Sequence, residues 1–448
     1  MIQIHEFVDE GLGHSSYLID LGNRAAALID PPRFPTPHEL LAAREHLRIV
    51  WTIDTHSHAD YVTGSPGVVV RDGATFVAPA ASHLATPHHP VQDGDRVALG
   101  AMASLIAIAT PGHTPDHHVY LLEEQGVSVG LFTGGSLMVG GVGRTDLCGP
   151  DLAVPLAHDM YRSLTRFDHL ADDLAIYPTH GAGSFCGAPG GTERTSTLGR
   201  ERTLNPLLRT ASEDEFVHRL VGGFGTFPSY FARLPEVNRR GPHHIDTLPA
   251  LARLSADDFA LQVAQGALVI DARPFIAFGA GHIANSLSNT LRPVFASWLG
   301  WLVEPDRALV FVLDDDQDRG DLVRQCLDVG LERLAGELDG GLTAWMRSGR
   351  QMETIPVVGP DRFAPTLIDV RQANEFDAGH VPGAVNVEVA AVSVTALSAT
   401  PVTVMCGHGE RAMTAASLLA SAGHHGVSVF DGGPDSWADA TGRRLTRA

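Results

Sequence analysis

Cysteine is scarce in this chain: only Cys148, Cys186, Cys326 and Cys406 occur among 448 residues, and no two are closely spaced. That excludes a disulfide scaffold and a cysteine-built zinc site, so each is read first as a thiol. Basic residues are also few. With 32 Lys and Arg against 52 Asp and Glu, the formal net charge is −20, which leaves no basic stripe for a nucleic-acid backbone. Long hydrophobic runs are missing too. The longest weakly polar stretch, Val97–Ala109, is interrupted by Gly100 and Ser104 and falls short of the ~20 apolar residues a membrane helix needs. The opening residues Met1 to Glu6 lack the charged and apolar regions of a signal peptide. The expectation is a cytoplasmic protein with small-molecule chemistry and neither a nucleic-acid nor a membrane partner.

The length allows two to four domains. From Ile2 to about Thr203, short β-rich runs alternate with loops and helical spacing appears at 38–47 and 157–167, a pattern of sheet layers with outer helices. Between Glu213 and Pro242, the punctuation by Gly222, Gly223, Pro228, Pro235 and Gly241 predicts a connector. The remainder contains a repeat. Val269-Ile270-Asp271-Ala272-Arg273 matches Leu367-Ile368-Asp369-Val370-Arg371, Gly281-His282 matches Gly379-His380, and Asp339-Gly340-Gly341 with Trp345 matches Asp431-Gly432-Gly433 with Trp437. Two small α/β units with mainly parallel sheets follow.

Directly after the apolar run Leu47–Ile53 the chain reads Thr55-His56-Ser57-His58-Ala59-Asp60. Alternate side chains of an extended segment share a side, so His56, His58 and Asp60 can converge on one ion at the strand end. His113 follows in Thr110-Pro111-Gly112-His113-Thr114-Pro115, and His180 in Tyr177-Pro178-Thr179-His180-Gly181. An isolated histidine is more often a surface or hydrogen-bonded core residue than a ligand. Four of them at strand ends and in Gly- and Pro-rich turns predict a shared metal site.

A second motif lies near the carboxyl end. The strand-like Val402-Thr403-Val404-Met405 delivers Cys406-Gly407-His408-Gly409-Glu410-Arg411 into a loop before a helix. The alternative is a buried structural thiol, as most lone cysteines are. Against it, the glycines let backbone N–H groups turn inward, the helix contributes its positive end, and Arg411 adds a cation, all of which favour a thiolate or persulfide anion at Cys406. Glu410 opposes them.

With the Asp-Val-Arg and Gly-His-Val-Pro-Gly-Ala segments, this loop resembles the rhodanese sulfurtransferase domain over residues 355–445. The resemblance implies that Cys406 takes a sulfane sulfur from a donor such as thiosulfate and passes it on. Arg411 matches the family's loop arginine, and Gly407, His408, Gly409 and Glu410 contact substrate. In the first copy Asp314 stands where the second has Cys406, while Arg319 keeps the place of Arg411. That copy resembles an inactive rhodanese with a packing or docking role.

The histidine segments, with Leu131-Phe132-Thr133-Gly134-Gly135 and Gly143-Arg144-Thr145-Asp146, resemble the metallo-β-lactamase fold over about residues 1–205, and within it the persulfide dioxygenases. The implied fold is α/β: an αββα metallo-β-lactamase sandwich at 1–210, a linker at 211–247, an inactive rhodanese-like domain at 248–352 and a rhodanese domain at 353–448. The resemblance implies oxidation of a small thiol persulfide to sulfite and free thiol by one Fe(II) ion and oxygen, in an assembly that includes a homodimer among its options. Two departures stand out. Tyr61 replaces a histidine, and Gly135 replaces the aspartate that joins the equivalents of His56 and His113 on the iron. The expected metal set is therefore His56, His58 and His113, with Asp60 and His180 nearby. Tyr61, Arg144 and Asp146 are candidates for substrate contact, with a packed ring and a loop-fixing ion pair as their alternatives. Zn(II) with thioester or ester hydrolysis is the competing chemistry, and a metal-free scaffold bearing only the Cys406 activity is a third reading.

Overall fold

The computed structural model describes residues 2–187, 192–394 and 401–447. Contacts divide the chain into two units, residues 1–248 with 327–330, and residues 249–326 with 331–448.

The first unit is built on two six-stranded sheets. In one, the antiparallel strands Gln3–Asp9, His14–Asp20 and Ala25–Ile29 continue in parallel through Arg48–Ile53, Thr75–Pro79 and His89–Val91. In the other, Ser196–Thr197, Ala175–Pro178, Val127–Gly134, His118–Glu124, Ala103–Ala109 and Arg96–Ala98 lie in that order. Strand periodicity explains the layers. Along His118–Glu124, Tyr120 and Leu122 meet Tyr17, Ile29 and Ile53 between the sheets, while Val119 and Leu121 face the opposite way onto the helix Pro150–Thr165. Helices Thr36–Arg44 and Ser65–Asp72 cover the other sheet through Ala42 and Val68. Because the central strands are buried on both faces, they read as continuous apolar runs.

The stretch predicted as a connector is instead helical in part, with helices Glu213–Gly222 and Leu234–Arg240. Ser212 caps the first by accepting from the Glu215 N–H at 3.2 Å, and Phe216, Val217 and Leu220 share a face that packs with Ala157, Met160 and Leu164. Its glycines and prolines mark helix ends: Gly223 caps one helix and Pro235 sits in the first turn of the other. The segment belongs to the first unit.

The second unit repeats one plan. Strands Arg253–Leu254, Leu334–Leu338, Leu309–Val312, Leu268–Asp271 and Leu287–Ser288 form a parallel sheet, and Val357–Val358, Val427–Phe430, Val402–Met405, Thr366–Asp369 and Val385–Asn386 form another in the same order. The repeated Asp-x-Arg has a physical role in each. Arg273 pairs with Asp271 at 2.6 Å and donates to the Gly281 carbonyl at 2.8 Å. Arg371 does the same with Asp369 and Gly379, both at 2.7 Å. Each pair ties a strand end to the turn after the next helix. The copies share apolar surface, since Phe278 of the first lies in one cluster with Ile368, Val404 and Met413 of the second. Cys326 is buried in the helix Arg319–Asp328, consistent with core packing. Among the described residues, no helix is long and apolar enough to cross a membrane.

Candidate functional site

Four strand ends of the first unit meet at one edge of the sandwich. The His118 N–H donates to the Thr55 carbonyl at 2.8 Å and the Thr179 N–H to the Gly134 carbonyl at 3.0 Å, so the loops after Arg48–Ile53, Ala103–Ala109, Val127–Gly134 and Ala175–Pro178 are stitched together. His56, His113 and His180 lie there with one ring nitrogen each, all within 4.8 Å of one another. All three are buried.

The hydrogen-bond network assigns the ring protons. Thr55 Oγ1 donates to Asp30 Oδ2 at 2.8 Å, so it accepts from His56 Nδ1, also at 2.8 Å. His113 Nδ1 donates to the Arg144 carbonyl at 2.8 Å. Both rings therefore present an Nε2 lone pair inward. His180 Nε2 is 3.3 Å from His56 Nε2, while its Nδ1 lies 3.3 Å from Asp60 Oδ2, close enough for attraction but not aligned as a hydrogen bond. Burial, reinforced by neighbouring imidazoles, holds His56 well below the usual range and brings His113 down to about 3, so both are in the neutral form that ligates metals. His58 Nδ1, both carboxylate oxygens of Asp60 and His180 Nδ1 are buried with no hydrogen-bond partner among the described residues. Such a concentration of unsatisfied atoms is costly unless a cation sits among the lone pairs. The residues present thus fit a metal ion, in two adjoining groups that share His180: His56, His113 and His180, and His58, Asp60 and His180, the second of which holds the unsatisfied atoms.

Of the expected row His56, His58 and His113, the structure groups His56 and His113 with His180, and His58 with Asp60 and the same His180. His58 spends its Nε2 on Asp30, 3.1 Å from Oδ1, which leaves only its Nδ1 for a metal, and the aspartate also accepts from the Thr55 N–H at 2.7 Å and from Thr179 Oγ1. Burial would raise Asp30, but the charge and hydrogen bond of His58, with those from Thr179 and Thr55, bring it down to about 2. His180 comes into the cluster instead. Asp60 stands behind His180, where a carboxylate orients an imidazole.

Asp30, Thr55, Thr179 and His117 escaped the sequence reading. Asp30 had a signal, an acid at the end of the strand Ala25–Ile29 before Pro31-Pro32. His117 had less. Its ring is 4.9 Å from that of His56, but its Nε2 is occupied, accepting the Gly135 N–H at 2.9 Å.

Gly135 is accounted for by close approach. A Cβ there would lie 2.3 Å from His113 Cδ2, and one at Gly143 would lie 2.6 Å from His113 Nδ1, so the imidazole is clamped between two glycines. Restoring the family's carboxylate with Gly135→Asp should therefore displace His113 rather than add a ligand. The expected result is lower iron content and a stability loss of about 1–3 kcal/mol from overpacking, measured by metal analysis and thermal denaturation. A variant that held iron more tightly would contradict this.

Tyr61 is a packed ring: fully buried, 4.5 Å from the ring of His58, with its hydroxyl donating to the Asp30 carbonyl at 3.2 Å. Arg144 also has its donors spent. It pairs with Asp146 through two hydrogen bonds of 2.6 and 2.8 Å, donates to the Phe185 and Gly225 carbonyls, and lies 4.4 Å from the Phe227 ring. The pair fixes the loop whose carbonyl holds His113.

In the second unit, Cys406 follows the strand Val402–Met405 and is buried. Its sulfur accepts the Gly409 N–H at 3.1 Å. Gly409, at φ +101°, turns the loop so that the helix Glu410–Ser421 starts beneath the thiol. Gly407 and Glu410 are half-buried and His408 is exposed. Arg411 does not stand free, because it forms paired hydrogen bonds of 2.6 and 2.8 Å with Glu375. In the first copy the Asp314 N–H is held by Gln317 at 2.9 Å, and Arg319 is tied to Glu337 at 3.1 Å and to the Asp314 carbonyl at 2.8 Å. Its loop contains no thiol.

Known proteins resemble both halves. The rhodanese-like domain family matches residues 255–348 and 358–440. Human mitochondrial persulfide dioxygenase ETHE1 is 35% identical over 206 residues, 45% of this chain and 74% of its own length. A hydroxyacylglutathione hydrolase of Methylobacterium sp. is 38% identical over 128 residues, 28% of this chain and 46% of that protein. The crystal structure of a metallo-β-lactamase from Staphylococcus aureus superposes with a TM-score of 0.65 at 27% identity, covering 75% of this chain and 98% of that one. The chain belongs to the persulfide dioxygenase family, as a sulfur-metabolism enzyme in which a metallo-β-lactamase fold precedes two rhodanese-like domains.

Proposed function

We propose that the first unit converts a low-molecular-weight thiol persulfide to sulfite and free thiol at one iron ion held by His56, His113 and His180, and that Cys406 carries sulfane sulfur as a persulfide. The convergence of three buried imidazoles is the observation that carries the metal reading. In the balanced reaction, persulfide, oxygen and water yield thiol, sulfite and two protons. Bound iron with open positions would supply the oxygen chemistry. The protein's own contribution is placement. Thr55 and the Arg144 carbonyl fix the His56 and His113 tautomers, Asp60 lies behind His180, and burial excludes bulk water from the three rings. Iron is favoured over zinc because oxidation by oxygen, the activity in the name of the persulfide dioxygenase relatives, calls for a redox-active ion and zinc is not one. Zinc on three imidazoles would instead suit thioester hydrolysis.

Metal analysis of protein made with iron supplied should return one iron per chain, and an oxygen electrode should register uptake with glutathione persulfide as sulfite accumulates. Zinc in the site with thioester turnover, and no oxygen uptake on persulfide, would overturn this reading.

A further inference from the structure

Sulfur transfer from an anionic donor faces an electrostatic obstacle at Cys406. The nucleophile is a thiolate, and a donor such as thiosulfate is itself doubly negative. Within the second copy the nearby charges do not compensate. Arg411 is matched by Glu375, Asp369 is matched by Arg371, and Glu410 adds a further negative charge at the start of the helix.

The first copy closes over this loop. A Cβ on Gly409 would lie 2.4 Å from the Phe275 ring, so that ring rests directly on the loop backbone. The Trp298 ring centre is 5.9 Å from the Arg411 guanidinium carbon. Farther along, the Ser288 N–H donates to Ser417 Oγ at 3.1 Å. Arg292 stands in sequence between the anchors Ser288 and Trp298, just before the helix Phe295–Leu302, where its carbonyl accepts the Phe295 N–H at 2.9 Å. It is half-buried, and its guanidinium forms no hydrogen bond or ion pair among the described residues. Burial holds it below the usual arginine range, with Glu410 and Cys406 pulling upward and Arg411 opposing them. The first copy thus carries, on a stretch anchored to the second copy at Ser288 and Trp298, a cation that meets the charge of Glu410 first and that of the Cys406 thiol after it.

We propose that Arg292, from the copy without a cysteine, is the anion-recognising residue of the Cys406 site and selects sulfane donors bearing a sulfonate group. The inference rests on Cys406 as the sulfur carrier. In the step it serves, Cys406 Sγ attacks the outer sulfur of thiosulfate and a new S–S bond forms. The donor's S–S bond breaks, and its electron pair leaves with sulfite. The total charge is unchanged and no oxidant or reductant is needed. Arg292 offsets the repulsion as the two anions approach, and the first copy, though unable to carry sulfur, supplies one wall of the pocket.

The test uses the full chain with Arg292→Gln and Arg292→Lys. Alkylation of Cys406, followed on its own peptide by mass spectrometry, is compared for iodoacetate, an anion, and iodoacetamide, which is neutral and of similar size. Arg292→Gln should lower the iodoacetate-to-iodoacetamide rate ratio about tenfold and raise the thiosulfate KM by a similar factor, with a smaller change in kcat. Arg292→Lys should recover most of both. An unchanged ratio in Arg292→Gln, or a lysine variant as impaired as the glutamine one, would overturn the proposal, since a packing role does not distinguish the two reagents. If wild-type Cys406 is alkylated but never takes sulfur from thiosulfate, the sulfur-carrier reading fails, while the ratio still decides whether Arg292 supplies charge at the thiol.

Discussion

Cys406→Ser is expected to reduce sulfur transfer from thiosulfate to cyanide by at least about a thousandfold, the scale on which loss of a covalent nucleophile is felt. Iron content and persulfide-dependent oxygen uptake should stay as they were. Serine is close in size, and its oxygen can still accept the Gly409 N–H that now points at the sulfur, so the loop keeps its shape while losing the atom that forms the disulfide-like bond. No second thiol substitutes: the corresponding position of the first copy is Asp314, whose backbone is locked by Gln317 and Arg319. Transfer that survived in Cys406→Ser would refute the assignment. A fall in both activities together would show that the variant had disturbed more than the nucleophile.

His180→Ala should empty the metal site. Loss of an outer partner of a metal ligand typically costs 10–100-fold in affinity, and loss of a ligand should cost more, leaving well under a tenth of the iron after dialysis at roughly neutral pH. The contrast with His58 is informative. If the ion used the row His56, His58 and His113, His180→Ala would retain its metal. With His58 committed to Asp30, its replacement should act first on folding, because a buried carboxylate loses its counter-charge. Metal content and thermal midpoint, measured on both variants, separate the two arrangements. Full iron occupancy in His180→Ala would eliminate the proposed set.

Much of this was legible in the sequence, for identifiable reasons. The sheet layers follow from short apolar runs alternating with loops, and the paired Asp-x-Arg segments exposed the repeat because each forms the same ion pair and reaches the glycine of the paired Gly-His segment in both copies. His56, His113 and His180 announced themselves by position at strand ends. What could not be read was direction. The period-two rule places His56 and His58 on one side of an extended segment, yet the loop after Ile53 is irregular, and Asp30, 28 residues away in sequence, draws His58 off. Residues 213–242 were misread because Pro and Gly mark helix ends as readily as loops. The role proposed for Arg292 has no sequence signal, because Phe275, Trp298 and the Cys406 loop come together only in three dimensions.

The position of Phe278 has a thermodynamic consequence for the repeat. Its ring belongs to the first copy by sequence, but it packs among Ile368, Val404 and Met413, so the apolar interior of the second copy does not end where the repeat ends. Severing the chain between the copies would expose that interior to water and leave a hydrophobic scar prone to self-association. The two modules can be told apart in the alphabet of residues, but they share one interior. Cooperative unfolding should therefore take the pair as a single body.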